Sequence, residues 1–465
     1  MNDRMRSALR LLASSLLLLG ATAPALAAPA AGPVPAAPGP VTLFQNVRVF
    51  DGKGGAVSGP SDVLVRGNKI ERISPAGSIP PGAEAGATVI PGGGRVLMPG
   101  LIDAHWHTML VATPGRGDFE DDPSYMAVVA VPEASRVLMR GFTTVRDVGG
   151  NCFALKNTID QGLVVGPRIY PSGAIISVTS GHGDFRNVRD LPRTLGAPGS
   201  FIDHSGHSTI ADSPDEVRLR VREQLMRGAV HIKLTAGGGV SSPHSPLDVV
   251  TFNPLELRAA VDAAGNWGTY VMVHAYTPAA IGQAIDAGVK VIEHASLMDD
   301  ATAQRMAKNG IWLSAQAFPI ELGTVFPPGS VQAEKFKDVF EGTDRTFKLA
   351  RKHGIKTAFG TDMLFSSALA QLQGRVLASL TQWYTPAETL VMATGTNAEL
   401  LQLTGKRNPY PGKLGVVEAG ALADLLLVDG NPVENIQLLA NPDKNLLVIM
   451  KDGQVYKNLV GQPGR

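Results

Sequence analysis

The stretch Leu97-Met-Pro-Gly-Leu-Ile-Asp-Ala-His-Trp-His-Thr108 is an apolar, strand-like run that ends in two histidines, His105 and His107. Residues i and i+2 of a β-strand point to the same face of the sheet. Both imidazole rings can therefore converge on one point, as two ligands of a single metal ion would. A His-x-His pair also occurs by chance in exposed strands and loops, so the remainder of the chain has to decide between the two interpretations.

Seven further short apolar runs follow this stretch and alternate with amphipathic helical stretches such as 214–228 and 254–265. The runs cover residues 143–149, 168–176, 230–236, 270–276, 290–297, 310–318 and 355–363. Buried parallel strands have sequences of this continuous apolar kind. Eight strands that alternate with helices predict an α/β fold of the (β/α)8 TIM barrel type. A doubly wound open sheet is the alternative, but no Gly-rich phosphate-binding fingerprint follows the first strand.

Both ends of the chain have short β-type patterns that are separated by Gly/Pro turns. These patterns cover residues 42–50, 62–73, 88–98, 423–429 and 446–456. We therefore predict that residues 42–98 and 411–460 pair into one small β-sandwich domain. The barrel, residues 99–410, would be inserted between its two halves.

The first residues of the chain predict export. Three arginines precede an apolar run, residues 11–19, and the small-x-small sequence Ala-Leu-Ala27 follows. This order is typical of a secretory signal peptide, residues 1–27, that is cut after Ala27. The apolar run is too short for a retained membrane anchor. We expect a periplasmic or secreted protein whose mature chain begins with a flexible Ala/Pro/Gly-rich segment, residues 28–41.

The composition narrows the class of protein and of partner. The 465-residue chain is 44% hydrophobic and 18% charged, as expected for a well-buried globular protein. The formal net charge is +1 and no basic block is present, so nucleic acid is not an expected partner. The only cysteine is Cys152, so the exported protein has no internal disulfide and relies on core burial for its stability.

The carboxyl ends of the predicted barrel strands carry further side chains that can bind metals or move protons. Barrel enzymes place their chemistry at this face. Besides the two histidines of the first strand, the residues at these ends are Lys233, His274, His294 and Asp362. Each of them alone has a structural interpretation, such as a hydrogen-bonded core histidine or a helix N-cap. Together they form a complete ligand set for two hydrolytic divalent cations.

Lys233 lies inside an apolar run, where an ammonium group is costly. Desolvation lowers the pKa of such a lysine and exposes a neutral amine. That amine can take up carbon dioxide and become a carbamate, an anionic group with two oxygens that is able to bridge two metal ions. An unmodified cationic lysine would instead repel the metals. A binuclear site therefore predicts that Lys233 is carboxylated.

With these residues the chain resembles the amidohydrolase superfamily, specifically its binuclear members with a carboxylated lysine. The resemblance covers about residues 42–456, and its motifs are PGLIDAHWH (99–107), HIKLTAGGG (231–239), MVHAYT (272–277), IEHAS (292–296) and GTD (360–362). It implies that a more buried cation is bound by His105, His107 and Asp362. A more exposed cation would be bound by His274 and His294, and carboxylated Lys233 would bridge the two cations. The resemblance also implies Zn²⁺ as the metal and a homo-oligomer as the assembly.

Within the superfamily the chain is similar to the prolidase-like, carboxypeptidase-type branch, whose members cleave Xaa-Pro or Xaa-Arg dipeptides or N-acyl amino acids. Some relatives hydrolyse ochratoxin A, an N-acyl phenylalanine. The additional motifs are TTVRDVGG (143–150), SGHGD (180–184) and SPDEVRLRVREQLMRGAVHIK (213–233). The implied reaction is cleavage of an amide bond in a small molecule with a free C-terminal carboxylate. A bridging hydroxide would attack the carbonyl carbon, and Asp362 would act as general base and then as general acid.

A free α-carboxylate requires cationic groups or hydrogen-bond donors in the substrate site. Arg146, His182 and Tyr276 lie at or just beyond predicted strand ends and are the candidates for this role. Arg146 could equally form an ion pair with the adjacent aspartate, and Tyr276 could bond to neighbouring backbone. The stretches 183–212 and 237–247 are expected to overhang the site as specificity loops.

Two other functions remain open at the level of sequence. A mononuclear deaminase or imidazolonepropionase-like cyclic amide hydrolase shares the His-x-His pair, two later histidines and the aspartate. Such an enzyme binds one metal and has no lysine on the fourth strand, so Lys233 argues against it. A non-catalytic scaffold on the same fold would typically have lost ligands, and here none is missing. Two, one or zero metals per chain would distinguish these three functions.

Overall fold

The computed structural model describes residues 39–80, 82, 84–113, 123–190, 198–242 and 244–461. The predicted signal peptide, residues 1–27, lies outside the described residues, as does most of the predicted flexible segment 28–41. Among the helices of the described part of the chain, none is long and apolar enough to cross a membrane.

Eighteen strands and thirteen α-helices make up the described structure. The strands are β1 (Val41–Phe50), β2 (Val57–Arg66), β3 (Lys69–Pro75), β4 (Thr88–Pro91), β5 (Val96–Pro99), β6 (Leu101–Trp106), β7 (Phe142–Asp147), β8 (Arg168–Pro171), β9 (Ile175–Ser177), β10 (Ser208–Ile210), β11 (Ile232–Thr235), β12 (Val271–Ala275), β13 (Val291–His294), β14 (Trp312–Ala315), β15 (Thr357–Phe359), β16 (Leu425–Val428), β17 (Leu446–Lys451) and β18 (Gln454–Asn458).

The α-helices are α1 (Pro123–Met139), α2 (Phe153–Asp160), α3 (Phe201–Ser205), α4 (Pro214–Arg227), α5 (Pro254–Asn266), α6 (Pro278–Ala287), α7 (Asp300–Lys308), α8 (Val331–His353), α9 (Ser367–Ala370), α10 (Gln373–Ser379), α11 (Pro386–Val391), α12 (Asn397–Leu401) and α13 (Pro442–Asn445). Short 3₁₀ or π-helical turns cover Val188–Asp190, Ile320–Val325, Leu380–Gln382, Met392–Thr396, Gln402–Arg407 and Ile436–Ala440.

Strands from both ends of the chain pair as predicted, and by strand pairing the domain predicted as a β-sandwich is one eight-stranded sheet. Its order is β18-β17-β16-β5-β1-β2-β3, with β4 beside β1. The two ends meet where β16 runs antiparallel to β5. On β16, Leu425 and Leu427 pack into the core of this sheet, whereas Leu426 and Val428 join the large core of the barrel. Because successive side chains point to opposite faces, a strand that is covered on both faces needs a continuous apolar run. The exact domain boundaries stay a prediction.

The remaining strands form the (β/α)8 barrel that the apolar runs predict, and each of the eight runs contains a barrel strand. Parallel pairing connects β6, β7 and β8, and a second parallel series connects β9, β11, β12, β13, β14 and β15. Two backbone hydrogen bonds join the series. The N–H of Val230 donates to the oxygen of Pro171 at 2.9 Å, and the N–H of Asp362 donates to the oxygen of His105 at 2.9 Å. The third strand of the barrel is divided into β8 and β9, and β10 pairs with β9.

The two helices predicted over 214–228 and 254–265 are α4 and α5, and local sequence explains their bounds. Ser213 caps α4 by accepting from the N–H of Glu216, a proline occupies the first turn, and the helix ends at Gly228 with φ of 106°. Asn253 and Glu256 form a reciprocal capping box at the start of α5. A side-chain cap at the N-terminus and glycine at the C-terminus satisfy backbone groups that a helix leaves unpaired.

Candidate metal centre

The carboxyl ends of β6, β12, β13 and β15 bring the predicted ligands together at one end of the barrel. His294 and Asp362 have φ of 74° and 53°, in the left-handed region that non-glycine residues rarely adopt. Such backbone conformations cost about 1–3 kcal/mol each and concentrate at functional sites. Gly360 is required nearby, because a Cβ there would lie 2.5 Å from the Cβ of His105. The close approach lets Asp362 face the histidines of the first strand.

Asp362 is the centre of the cluster. Its Oδ1 lies 3.2 Å from Nε2 of His105 and 3.3 Å from Nε2 of His107. Its Oδ2 lies 3.9 Å from Nδ1 of His294. Burial alone would raise the pKa of Asp362, but the charge and hydrogen bond of His105, together with His107 and His294, hold it well below its usual range. Asp362 is therefore ionised at neutral pH.

A buried ion pair orients His105. Glu293 accepts at Oε2 from Nδ1 of His105 at 2.7 Å, and its Oε1 accepts from Arg146 at 2.6 Å. Burial would raise the pKa of Glu293, but Arg146 and then His105 hold it well below its usual range. The carboxylate orients the ring of His105 so that Nε2 faces Asp362. Carboxylates behind metal-ligating histidines have this orienting function in many metal sites.

The other two histidines of the cluster are anchored in the same manner. Nδ1 of His107 donates to the backbone oxygen of Gly149 at 2.9 Å, and Nδ1 of His294 donates to Oε1 of Gln316 at 2.6 Å. Since each ring uses Nδ1 as the donor, Nε2 is the nitrogen that remains available as a ligand.

His274 on β12 completes the histidine set. Its ring centroid lies 4.5 Å from that of His294. Nε2 of His274 donates to the backbone oxygen of Gly238 at 2.8 Å, so Nδ1 is the nitrogen left for a ligand. Burial holds the pKa of His274 well below its usual range, and the neighbouring His294 adds to this effect. The ring is therefore neutral, which is the form that binds metals.

Lys233 on β11 lines the same cavity as these residues and is 3% exposed. Burial lowers the pKa of its amine to about 8, although the charges of Glu293 and Asp362 oppose this shift. The structure thus agrees with the depressed pKa that the sequence predicts. A pKa of about 8 leaves a minor neutral fraction at pH 7, and the neutral amine is the form that reacts with carbon dioxide.

The donor chemistry fits divalent cations. His105, His294 and Asp362 each present a ligand atom, and these three atoms lie within 4.8 Å of one another. The carboxylate is ionised, and burial holds the pKa of His294 well below its usual range. Metal ligands must be deprotonated, so Asp362 and His294 need no costly change of state to bind a cation. Burial would lower the pKa of His105, but the charges of Asp362 and Glu293 raise it, so a proton competes with a cation at this ring. Imidazole and carboxylate are typical zinc ligands.

The cavity above the cluster has a largely apolar lining. The non-ligand lining residues of the described chain are Leu110, Ile175, His182, Gly183, Phe185, Thr235, Val240, Ser241, Tyr276, Phe318, Leu322, Val325, Phe326, Phe336, Val339, Leu364 and Phe365. The stretches 183–212 and 237–247 contribute four of them, as the sequence predicts for overhanging loops.

Of the three predicted substrate-binding residues, two line the cavity and one does not. His182 and Tyr276 line the cavity, and the ring of His182 lies 4.2 Å from that of His274 between centroids. Arg146 is fully buried and is not among the described residues of the cavity lining. The prediction that Arg146 reads a substrate carboxylate is therefore wrong, because its buried guanidinium group donates to Glu293. The alternative of a structural ion pair is correct in kind, but the partner is not Asp147.

Sequence reasoning missed Glu293 and Gln316 as residues that orient the cluster. One signal was available for Glu293, since it interrupts an apolar run directly before His294. Charged residues are almost never fully buried unless they are paired. Arg146 and Glu293 are two such residues of opposite charge in separate predicted strands of the barrel. The sequence could therefore have predicted that they form an ion pair. Gln316 carries no comparable signal.

Comparison with known proteins supports the same class of protein. The Amidohydrolase family model matches residues 96–456. Ochratoxinase from Aspergillus niger is 32% identical over 383 residues, which cover 78% of this chain and 76% of the relative. A crystal structure of a prolidase complexed with N-methylphosphonate-L-proline has a TM-score of 0.81 at 32% identity, with 90% of this chain and 100% of that chain covered. A Xaa-Pro dipeptidase with bound methionine has a TM-score of 0.76 at 28% identity, with 90% and 100% covered.

These relatives, together with the barrel and its converging ligands, define the chain as a hydrolytic enzyme that acts on amides or peptides. The chain belongs to the amidohydrolase family.

Proposed function

We propose that this enzyme uses two divalent cations, most simply Zn²⁺, to cleave the amide bond of dipeptides or N-acyl amino acids with a free C-terminal carboxylate. The observation that carries the proposal is the convergence of an ionised carboxylate, several imidazoles and a buried lysine at the end of an apolar cavity. Relatives named prolidase, Xaa-Pro dipeptidase and ochratoxinase support a substrate of this class.

The ligand assignment is the one that the resemblance to binuclear amidohydrolases implies. One cation would be held by His105, His107 and Asp362. Nε2 of each of these two histidines lies within 3.3 Å of Asp362 Oδ1. His274 and His294 would hold the second, and Lys233 would lie between the two as a carbamate. Divalent cations held there would lower the pKa of a bound water and polarise a carbonyl group.

Asp362 would carry the proton in this reaction. Its pKa is held well below the usual range, so the carboxylate is ionised at neutral pH, and it would accept a proton from the attacking water. It would then deliver this proton to the departing amine, which cannot leave as an anion. A group that first accepts and then donates is a general base followed by a general acid.

We expect about two equivalents of Zn²⁺ or a comparable divalent metal per chain in the purified protein. Elemental analysis of protein separated from free metal measures this number directly. Removal of the metal with a chelator should abolish hydrolysis, and added Zn²⁺ should restore it. One metal per chain would favour a mononuclear enzyme of the imidazolonepropionase type, and none would favour a non-catalytic protein.

The aromatic wall of the cavity indicates which substrate groups fit. It begins at His294, whose ring centroid lies 6.4 Å from that of Phe318. Phe318 in turn lies 6.4 Å from Phe336, and Phe336 lies 6.2 Å from Phe326. A charged group pressed against these rings would lose its hydration without gaining a partner. We therefore propose neutral, apolar substrate side chains, which include N-acyl phenylalanines such as ochratoxin A.

Amidation of the C-terminus of a good N-acyl amino acid substrate should lower kcat/KM at least about tenfold, equivalent to about 1.4 kcal/mol. Polar groups that hold the carboxylate would then be left buried without their partner. His182 is the cavity residue we expect to donate to the carboxylate, so His182→Asn should slow cleavage of the acid much more than of the amide.

The matched control for this experiment is His204→Asn, since His204 is an exposed histidine on α3 outside the cavity. Comparing both substrates on each variant cancels general folding defects. Equal rates on acid and amide would exclude a carboxypeptidase and leave a broader amidase on the same site.

We also propose that the protein is exported, on the basis of the signal-peptide pattern in residues 1–27. N-terminal sequencing of protein recovered from the periplasm or medium should begin at Ala28. A homo-oligomer is the expected assembly, which light scattering of the purified protein would test.

A further inference from the structure

We propose that Lys335 is a positioning residue that fixes the loop 237–247 against His182 and His274. This inference rests on the proposed function, because it gives both histidines a role in metal or substrate binding. Lys335 is remote in sequence from every motif of the site and belongs to α8.

Lys335 is buried, with 8% of the residue exposed, and the hydrogen bonds of its ammonium group are buried as well. It donates to the backbone oxygens of Ser245 at 2.6 Å, Ser242 at 2.9 Å and Gly239 at 3.3 Å. An ammonium carries three N–H donors and no acceptor, so it suits a group of carbonyl oxygens that turn toward one point. A buried charge without such bonds would be costly. Lys335 therefore fastens three points of one loop to one helix.

The fastened loop contacts both histidines. The oxygen of Gly238 accepts from Nε2 of His274 at 2.8 Å. Oγ of Ser242 lies 3.0 Å from Nδ1 of His182 and accepts from the N–H of Gly183 at 3.0 Å. The backbone at Gly239 lies so close to His182 that a Cβ there would approach its Nδ1 to 2.1 Å. A displacement of the loop would therefore change the orientation of both rings.

The helix that carries Lys335 also forms part of the aromatic wall. Phe336 and Val339 on α8 line the cavity, and Val240 and Ser241 of the loop line it as well. Lys335 thus adds a polar connection between two parts of the substrate cavity whose side chains Val240 and Phe336 also belong to one apolar cluster. A side chain in this position couples the placement of the wall to the placement of the histidines.

Replacement of Lys335 with methionine keeps the length and apolar stem of the side chain but removes its three donors. We expect Lys335→Met to lower kcat/KM about 10- to 100-fold, because a misplacement of about 1 Å near the reacting groups can cost about 10²-fold. Amide hydrogen exchange should become faster within residues 237–247 while the exchange of the barrel strands stays at the parent level. Lys337→Met is the matched control, since Lys337 is exposed on the same helix.

Two results would overturn the proposal. One is parent-like exchange in 237–247 together with parent-like kcat/KM. The other is faster exchange throughout the barrel, which would make Lys335 a residue of general stability. If Lys335→Met does not fold, Ser242→Ala tests the other half of the coupling. It removes the Oγ contact of the loop with His182 and Gly183 but keeps the backbone oxygen that Lys335 binds. This variant should raise KM for the free acid, and an unchanged KM would reject the proposal. An inactive, metal-free parent protein would instead reject the proposed function.

Discussion

The Lys233→Ala variant is expected to lose nearly all hydrolytic activity and much of its bound metal. The buried amine has a pKa of about 8, so carbon dioxide can convert it to an anionic carbamate, and alanine cannot replace this bridging ligand. Without the carbamate, the neighbouring histidines and Asp362 would have to hold two cations with no anion between them. Activity with an N-acyl amino acid and elemental analysis of the metal content measure the two losses.

Short carboxylic acids should restore part of the activity of Lys233→Ala, because a free carboxylate can enter the space left by the side chain. Lys290→Ala is a suitable control, since Lys290 is exposed directly before β13 and does not line the cavity. Reconstitution of the metal-free parent protein should also require carbon dioxide and proceed faster above pH 8, where the amine is mostly neutral. Full activity of Lys233→Ala would exclude the bridging role.

The barrel and most of the cluster could be predicted from sequence because both follow from local periodicity. A parallel strand that is buried on both faces has a continuous apolar sequence, and each of the eight runs became a strand. The period of two places His105 and His107 on one face of the chain. A polar residue at the carboxyl end of such a run is expected at the end of the barrel where the carboxyl ends of the other strands also lie. These inferences need no knowledge of distant contacts.

Arg146 shows where such reasoning ends. The sequence places it at the end of β7, next to Asp147, but the side chain turns into the barrel and pairs with Glu293, 147 residues away. This contact depends on the relative stagger of β7 and β13 around the barrel, which neither strand specifies alone. The contact between Lys335 and Ser242 spans 93 residues and has the same origin. The cavity wall, too, combines residues from a strand end, a 3₁₀ turn and a helix.

The Asp362→Asn variant should retain bound metal but lose most of kcat. Asparagine has nearly the shape of aspartate and keeps one oxygen that can face His105 and His107. The arrangement of the ligands should therefore be retained. Its amide cannot accept a proton at neutral pH. Loss of a general acid–base group typically costs about 10²–10⁴-fold. We expect a decrease in kcat within this range, measured at saturating substrate and with the metal content determined on the same sample.

The pH dependence of the parent enzyme adds a second test of Asp362. Because its pKa is held well below the usual range, the carboxylate stays ionised in mildly acidic solution, and its protonation should not reduce activity there. The leaving group of the substrate provides a further test. A substrate with a more acidic leaving amine should be less sensitive to Asp362→Asn, because its amine departs more easily without a proton from Asp362. If Asp362→Asn stays within a few-fold of the parent on every substrate while fully metallated, another residue carries the proton.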